Sequence, residues 1–149
     1  MIDPYEKGMF KESPYYEKSD IKGNLVVVLQ GKFEDRGLCL IKPVSRCVSK
    51  HEVSELIVSD EPDIKAGGQV NKIAYIGFVE ITQSGVIIIG DKVYAAGDCI
   101  GSIAGFDETH MPNHLNIIIG SDKRADGAQL GLKPGDIIEF KHVKNRYVE

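Results

Sequence analysis

Residues 73–105 read IAYIGFVEITQSGVIIIGDKVYAAGDCIGSIAG, and this stretch decides the fold class. Its apolar runs, Ile73–Thr82, Val86–Ile89, Val93–Ala95 and Cys99–Gly105, are parted by Ser84-Gly85, Gly90-Asp91 and Gly97-Asp98. Each run has strand length, and each separator carries residues that tight turns favour. Ile73–Thr82 is apolar on both faces until Glu80, which predicts that its first half is buried on both sides. The same signature extends outward to Leu25–Leu29, lying between Gly23 and Gly31, and to Leu38–Val48, which Pro43 bends. Leu115–Ile119 and Ile137–Val143 complete the set. Short strands between glycine-rich turns predict a mainly β protein, a compact barrel or barrel-like sandwich.

One or two short helices are expected beside the strands. Ser49-Lys-His-Glu52 has the form of a capping box, and Val53, Leu56 and Ile57 then fall on one helical face. A second candidate opens at Ser121 or Asp122 and closes at Gly131, with Ala125, Ala128 and Leu130 on its apolar side. Ser59–Lys72 is polar, holds Pro62 and Gly67-Gly68, and reads as a surface loop.

The chain has 149 residues, 42% hydrophobic and 27% charged, which suits one soluble domain. We assign residues 24–149 to that single β-rich domain and residues 1–23 to an N-terminal arm. The arm lacks a core pattern yet carries Tyr5, Phe10, Tyr15 and Tyr16. Rings on such a segment are expected to dock on the barrel or on a neighbouring subunit, hence a homo-oligomer. No apolar run approaches the roughly 18 residues of a membrane helix, and the first residues lack the apolar centre of a signal peptide. Net charge is −4 and the pI is near 5.6, which argues against nucleic acid and anionic membranes as partners. Three cysteines without a CxxC pair provide neither a disulfide framework nor a zinc ribbon. A cytoplasmic protein with three free thiols is expected.

Leu130-Gly-Leu-Lys-Pro-Gly-Asp-Ile-Ile-Glu-Phe140 has its own physical reading. Pro134 presets a turn, Gly135 accepts positive φ, and Asp136 caps free N–H groups before the next strand. The stretch also resembles the glycine-aspartate box of cradle-loop β-barrels, the double-psi, RIFT and swapped-hairpin types, with Gly90-Asp91 and Gly97-Asp98 as thinner echoes. Those barrels include enzymes, transcription factors and nucleotide-binding modules, so the resemblance implies a fold and no particular function. As a whole the chain is similar to a prokaryotic family of domains of unknown function. The residues that carry this are Gly105-Phe-Asp-Glu-Thr-His-Met-Pro-Asn-His-Leu-Asn116 and Leu40-Ile-Lys-Pro-Val-Ser-Arg-Cys47. The resemblance implies no activity.

The first of those segments is where the chemistry gathers. Phe106–Asn116 holds Asp107, Glu108, Thr109, His110, Asn113, His114 and Asn116, including two of the four histidines. His-x3-His supplies two donors from one short turn, so His110, His114 and Asp107 are candidate ligands for a divalent transition metal. Without a metal, Asp107, Glu108 and His110 are candidate catalytic groups, as bases, acids or orienters of an imidazole. Thr109, Asn113 and Asn116 are candidate binding residues. The expected function is a small-molecule site, with or without a metal, around Asp107–His114. The alternative is a non-catalytic oligomeric module whose 105–116 loop is an interface. Weaker candidates are a His51/Glu55 pair on the first helix and a basic patch of Lys42, Arg46 and Lys50, which a solvated edge strand explains equally well. The three cysteines lie in apolar contexts, where buried, inert thiols are expected. There is no P-loop, no GxGxxG and no serine nucleophile elbow.

Overall fold

The computed structural model describes residues 19–143. They form β1 (Ile21–Val28), β2 (Lys32–Phe33), β3 (Leu38–Cys39), β4 (Ser45–Val48), β5 (Val53–Ser59) and β6 (Gln69–Val70). After these come β7 (Ile73–Gln83), β8 (Gly85–Ile88), β9 (Lys92–Ala95), β10 (Asp98–Asp107), β11 (Leu115–Gly120) and β12 (Ile137–Lys141). Backbone pairing runs β1-β12-β9-β10-β11-β5-β7, with β2 appended to β7, and β7 also pairs with β1. The seven strands from β1 to β7 in that order therefore close a ring. The architecture is mainly β and barrel-like. Two small pairs, β3–β6 and β4–β8, lie beside it.

Neighbours in the ring are antiparallel except β5 and β11, which run parallel in register from Ser54↔Leu115 to Ser59↔Gly120. Leu56, Val58, Ile117 and Ile119 point inward to the main core with Ile76 and Phe106. On the outer side, Ile57, Ile118 and Ile73 pack under Leu38, Leu40 and Val70 of the β3–β6 region. Each such side chain contributes about 1.5–3 kcal/mol on full burial. This second layer explains why β7 is apolar on both faces in its first half, as its sequence predicts. The 133–136 turn also behaves as read: Gly135 has φ 94°, and the Asp136 carboxylate accepts the Lys133 N–H at 2.8 Å.

The helices are a correction, since none occurs among the described residues. The Ser49–Glu52 box does form half of its bonds, because the Glu52 carboxylate accepts the Ser49 N–H. That contact closes a tight turn between β4 and β5, with His51 at φ 80°. Val53–Ser59 then continues as strand, because the ring and the outer layer bury both its faces and override the helical spacing. At the second candidate, Asp126 and Gln129 bond each other's N–H groups at 2.7 and 3.0 Å. A single turn results, ended by Gly131 at φ 72°. β1 opens at Ile21, inside the last residues assigned to the arm, and the arm's residues 1–18 lie outside the described residues.

Closure between β1 and β7 depends on Gly77. A Cβ there would stand 2.2 Å from the Val27 carbonyl oxygen, beside a bulge between Leu25 and Val27. Gly77→Ala should therefore cost about 3 kcal/mol, the upper part of the overpacking range. Gly97→Ala, at φ 89° with nothing within 4 Å, should cost about 1 kcal/mol from backbone conformation alone. Urea unfolding of both variants tests this. Equal midpoints would refute the closure argument.

Candidate functional site

Register places the polar residues. Asp107 on β10 faces Asn116 on β11, Asn116 faces Glu55 on β5, and Glu55 faces Phe78 on β7. All four lie on the outer side of the ring, in line across strands spaced about 4.8 Å apart. The β3–β6 cover ends here. The row is roofed instead by the turn at 108–114, which folds back from β10 to β11.

Asp107 holds that roof in place. Its side chain is fully buried, and each carboxylate oxygen accepts two donors. Oδ1 takes the Thr109 N–H at 2.9 Å and Asn116 Nδ2 at 3.0 Å. Oδ2 takes the Thr109 hydroxyl at 2.9 Å and the Cys39 N–H at 3.2 Å. Four donors occupy the carboxylate. Asp107 and Thr109 are thus positioning residues for the turn.

Glu55 is the group that sequence spacing undervalues. Its side chain is 10% exposed. Burial pushes its carboxyl above the ordinary carboxylate range, opposed by the fields of His110 and Arg36. His114 Nε2 stands 3.5 Å from Glu55 Oε1, an ion-pair distance without hydrogen-bond geometry. Buried His114 Nε2 and buried Asn116 Oδ1 have no hydrogen-bond partner. Asn116 gives its Nδ2 to Asp107 on the β10 side, and on the β5 side Glu55 is its register partner. The edge of Phe78 meets the His114 ring at 5.1 Å between centroids, and the His110 ring lies 5.1 Å from His114 on the solvent side. Arg36 reaches His110 Nε2 at 3.3 Å.

The expected residues thus divide. His110 and His114 are brought together, and Asn116 lies beneath them. Glu108 is drawn away to an ion pair with Arg46, and Asn113 is exposed on the turn. The trio His110, His114 and Asp107 does not converge. Among the described residues no group of three or more His, Cys, Asp or Glu side chains has metal-binding geometry. The three cysteines are exposed and free, contrary to their apolar sequence context. Arg36 and Phe78 carry no local signal. Glu55 carries one, being the only charge within Val53–Val58.

A family model described as a family of unknown function (DUF6917) matches residues 15–141, and the chain belongs to that family. No curated protein and no solved structure matches the chain.

A carboxyl whose folded pKa lies above its unfolded value keeps its proton longer in the folded chain, so stability falls as pH rises through the folded pKa. Glu55→Gln removes that ionisation and leaves a neutral side chain of the same shape. Its melting temperature should exceed the wild type's at neutral pH, with the difference shrinking toward about pH 4. A difference independent of pH in thermal melts would contradict this. Asp107→Ala should instead lose about 3 kcal/mol at neutral pH, because four donors, the buried Asn116 amide among them, lose their acceptor.

Proposed function

We propose that this member of the DUF6917 family binds a small anionic molecule at the outer-face site and transfers a proton there. Glu55 and His114 are the acid–base pair. Arg36 and His110, at the solvent side, hold the anionic group of the ligand. The observation that carries this reading is a carboxyl nine-tenths buried beside an imidazole nitrogen that has no hydrogen-bond partner. Buried polar atoms are satisfied in folded proteins, and exceptions concentrate where a ligand or a proton in transit completes them. A carboxyl that burial pushes upward, standing 3.5 Å from an imidazole nitrogen, is within reach of proton exchange with a ligand seated against both. The guanidinium supplies the planar fork that carboxylates and phosphates fit.

A second reading, an interface formed by the 105–116 loop, is favoured by Met111, which is 36% exposed at the tip of the turn. It accords with the homo-oligomer expected from the aromatic arm.

The imidazole signals of histidine-labelled protein distinguish the two. Titration with sodium acetate and with inorganic phosphate should shift His110 and His114 saturably, while His51 and His142 stay put. Arg36→Gln should abolish the response. Equal shifts of all four histidines, as bulk ionic strength produces, or no shift at millimolar anion, would sink the binding reading. Lines that broaden with protein concentration and narrow in Met111→Ser would favour the interface.

A further inference from the structure

A second place in the fold has the anatomy of a ligand site and plays no part in the acid–base reading. Where the parallel strands β5 and β11 end, the ring opens into a cavity of about 220 Å³. Its floor is the core itself, formed by Val58 and Ile76, with Ile100, Ala125 and Leu130 around them. Val58 lies three residues along β5 from Glu55 and on the opposite face. Lys123, Asp98, Ser121 and Cys99 form the rim.

The strand geometry brings these side chains together. Cys99 and Ile100 are adjacent in β10, and adjacent strand residues ordinarily face opposite sides. A register shift against β9 between Cys99 and Gly101 lets both line the cavity. Bulges of this kind sit at barrel rims and re-aim side chains there. An apolar floor with a few polar groups at the mouth of a barrel is the usual make-up of a small-molecule site.

Size and charge narrow the ligand. A cavity of roughly 150 Å³ with apolar walls accepts a benzene ring, so this one accommodates a molecule of about six to nine heavy atoms, head group included. Among the described residues neither Lys123 nor Asp98 has an ion-pair partner. A hydrocarbon would leave both charges unused, and a simple carboxylate would meet Lys123 but face the repulsion of Asp98. A zwitterion answers both. We propose that this cavity binds a small apolar α-amino acid, its side chain on Val58 and Ile76, its carboxylate toward Lys123 and its ammonium toward Asp98.

Cys99 is a built-in reporter, with Cys39 and Cys47 as exposed controls. The full chain is alkylated with iodoacetamide, and the rate at each thiol is read by mass spectrometry with L-leucine, isovalerate, isopentylamine or glycine present. Saturating L-leucine should slow Cys99 alone, by about tenfold when its concentration is some ten times the dissociation constant. Glycine lacks the apolar body, isopentylamine lacks the carboxylate, and isovalerate lacks the ammonium and the carbon that bears it, so each should protect much less. Lys123→Met, an exposed substitution, should keep the fold and lose the protection by leucine. Ala125→Leu should lose it by filling the cavity; if that variant does not fold, Lys123→Met decides alone. The proposal is overturned by unchanged Cys99 reactivity, by equal slowing of all three thiols, or by isovalerate protecting as well as leucine. Full protection in Lys123→Met would overturn it as well.

Discussion

Burial of both faces of β5 and β11 is the constraint on which the rest of this structure depends. The pair lies within the ring, so Leu56, Val58, Ile117 and Ile119 must fill the interior. It also carries Ile57 and Ile118 outward, which only a second layer can remove from water. The β3–β6 pair and Leu40 supply that layer, and it covers one end of the two strands. At the other end the outward positions are Glu55 and Asn116, and the cover changes from aliphatic side chains to a polar turn. The candidate site is therefore the boundary between two ways of covering one surface.

A polar turn over a buried surface must account for its own hydrogen bonds. Asp107 does so at the root of the turn by accepting from two backbone N–H groups, a hydroxyl and an amide. Its donors come from β11, from the segment at Cys39 and from Thr109 of the turn itself. Glu55 has no such set. It lies beside Asn116 in register and 3.5 Å from an imidazole nitrogen that makes no hydrogen bond. Two carboxyl groups on one cross-strand row thus have opposite surroundings: one is held by four donors, and the other is pushed by its burial toward the neutral form. Separation of environments between neighbouring titratable groups is how acid–base roles are assigned in proteins generally.

The strands are readable in the sequence because their signal is local. A β-branched run ending in a glycine-aspartate turn has few other uses, and 73–105 strings several together. The two expected helices fail for one reason in two forms. Ser49–Glu52 and Asp126–Gln129 both make the side chain to backbone bonds of a helix start, but a start does not oblige the next residues to continue as helix. From Val53 onward the chain is claimed by sheet pairing on both edges, and tertiary context outweighs a propensity worth tenths of a kcal/mol per residue. The histidine segment stands out because its residues are contiguous. Arg36, Glu55 and Phe78 come from three distant places, and only the strand register brings them to His114. Asp107 shows the converse: its type and place are conspicuous in the sequence, and its role depends on donors that sequence spacing does not reveal.

Glu55 also bears on why a polar residue persists in an otherwise apolar run. A leucine at that position would extend the outer layer formed by Ile57 and Ile118 and would bury without a desolvation penalty. The carboxyl instead keeps a group whose charged form is disfavoured by its burial and is only partly relieved by His110 and Arg36. Local rules broken without a compensating contact are concentrated at functional sites, where the arrangement serves chemistry at the expense of stability. The break here is specific. It falls at the one charged residue of β5, beside His114 and Asn116, and under a turn that Asp107 ties down. The cross-strand row and the turn above it thus bring the unsatisfied atoms and the buried carboxyl to one place.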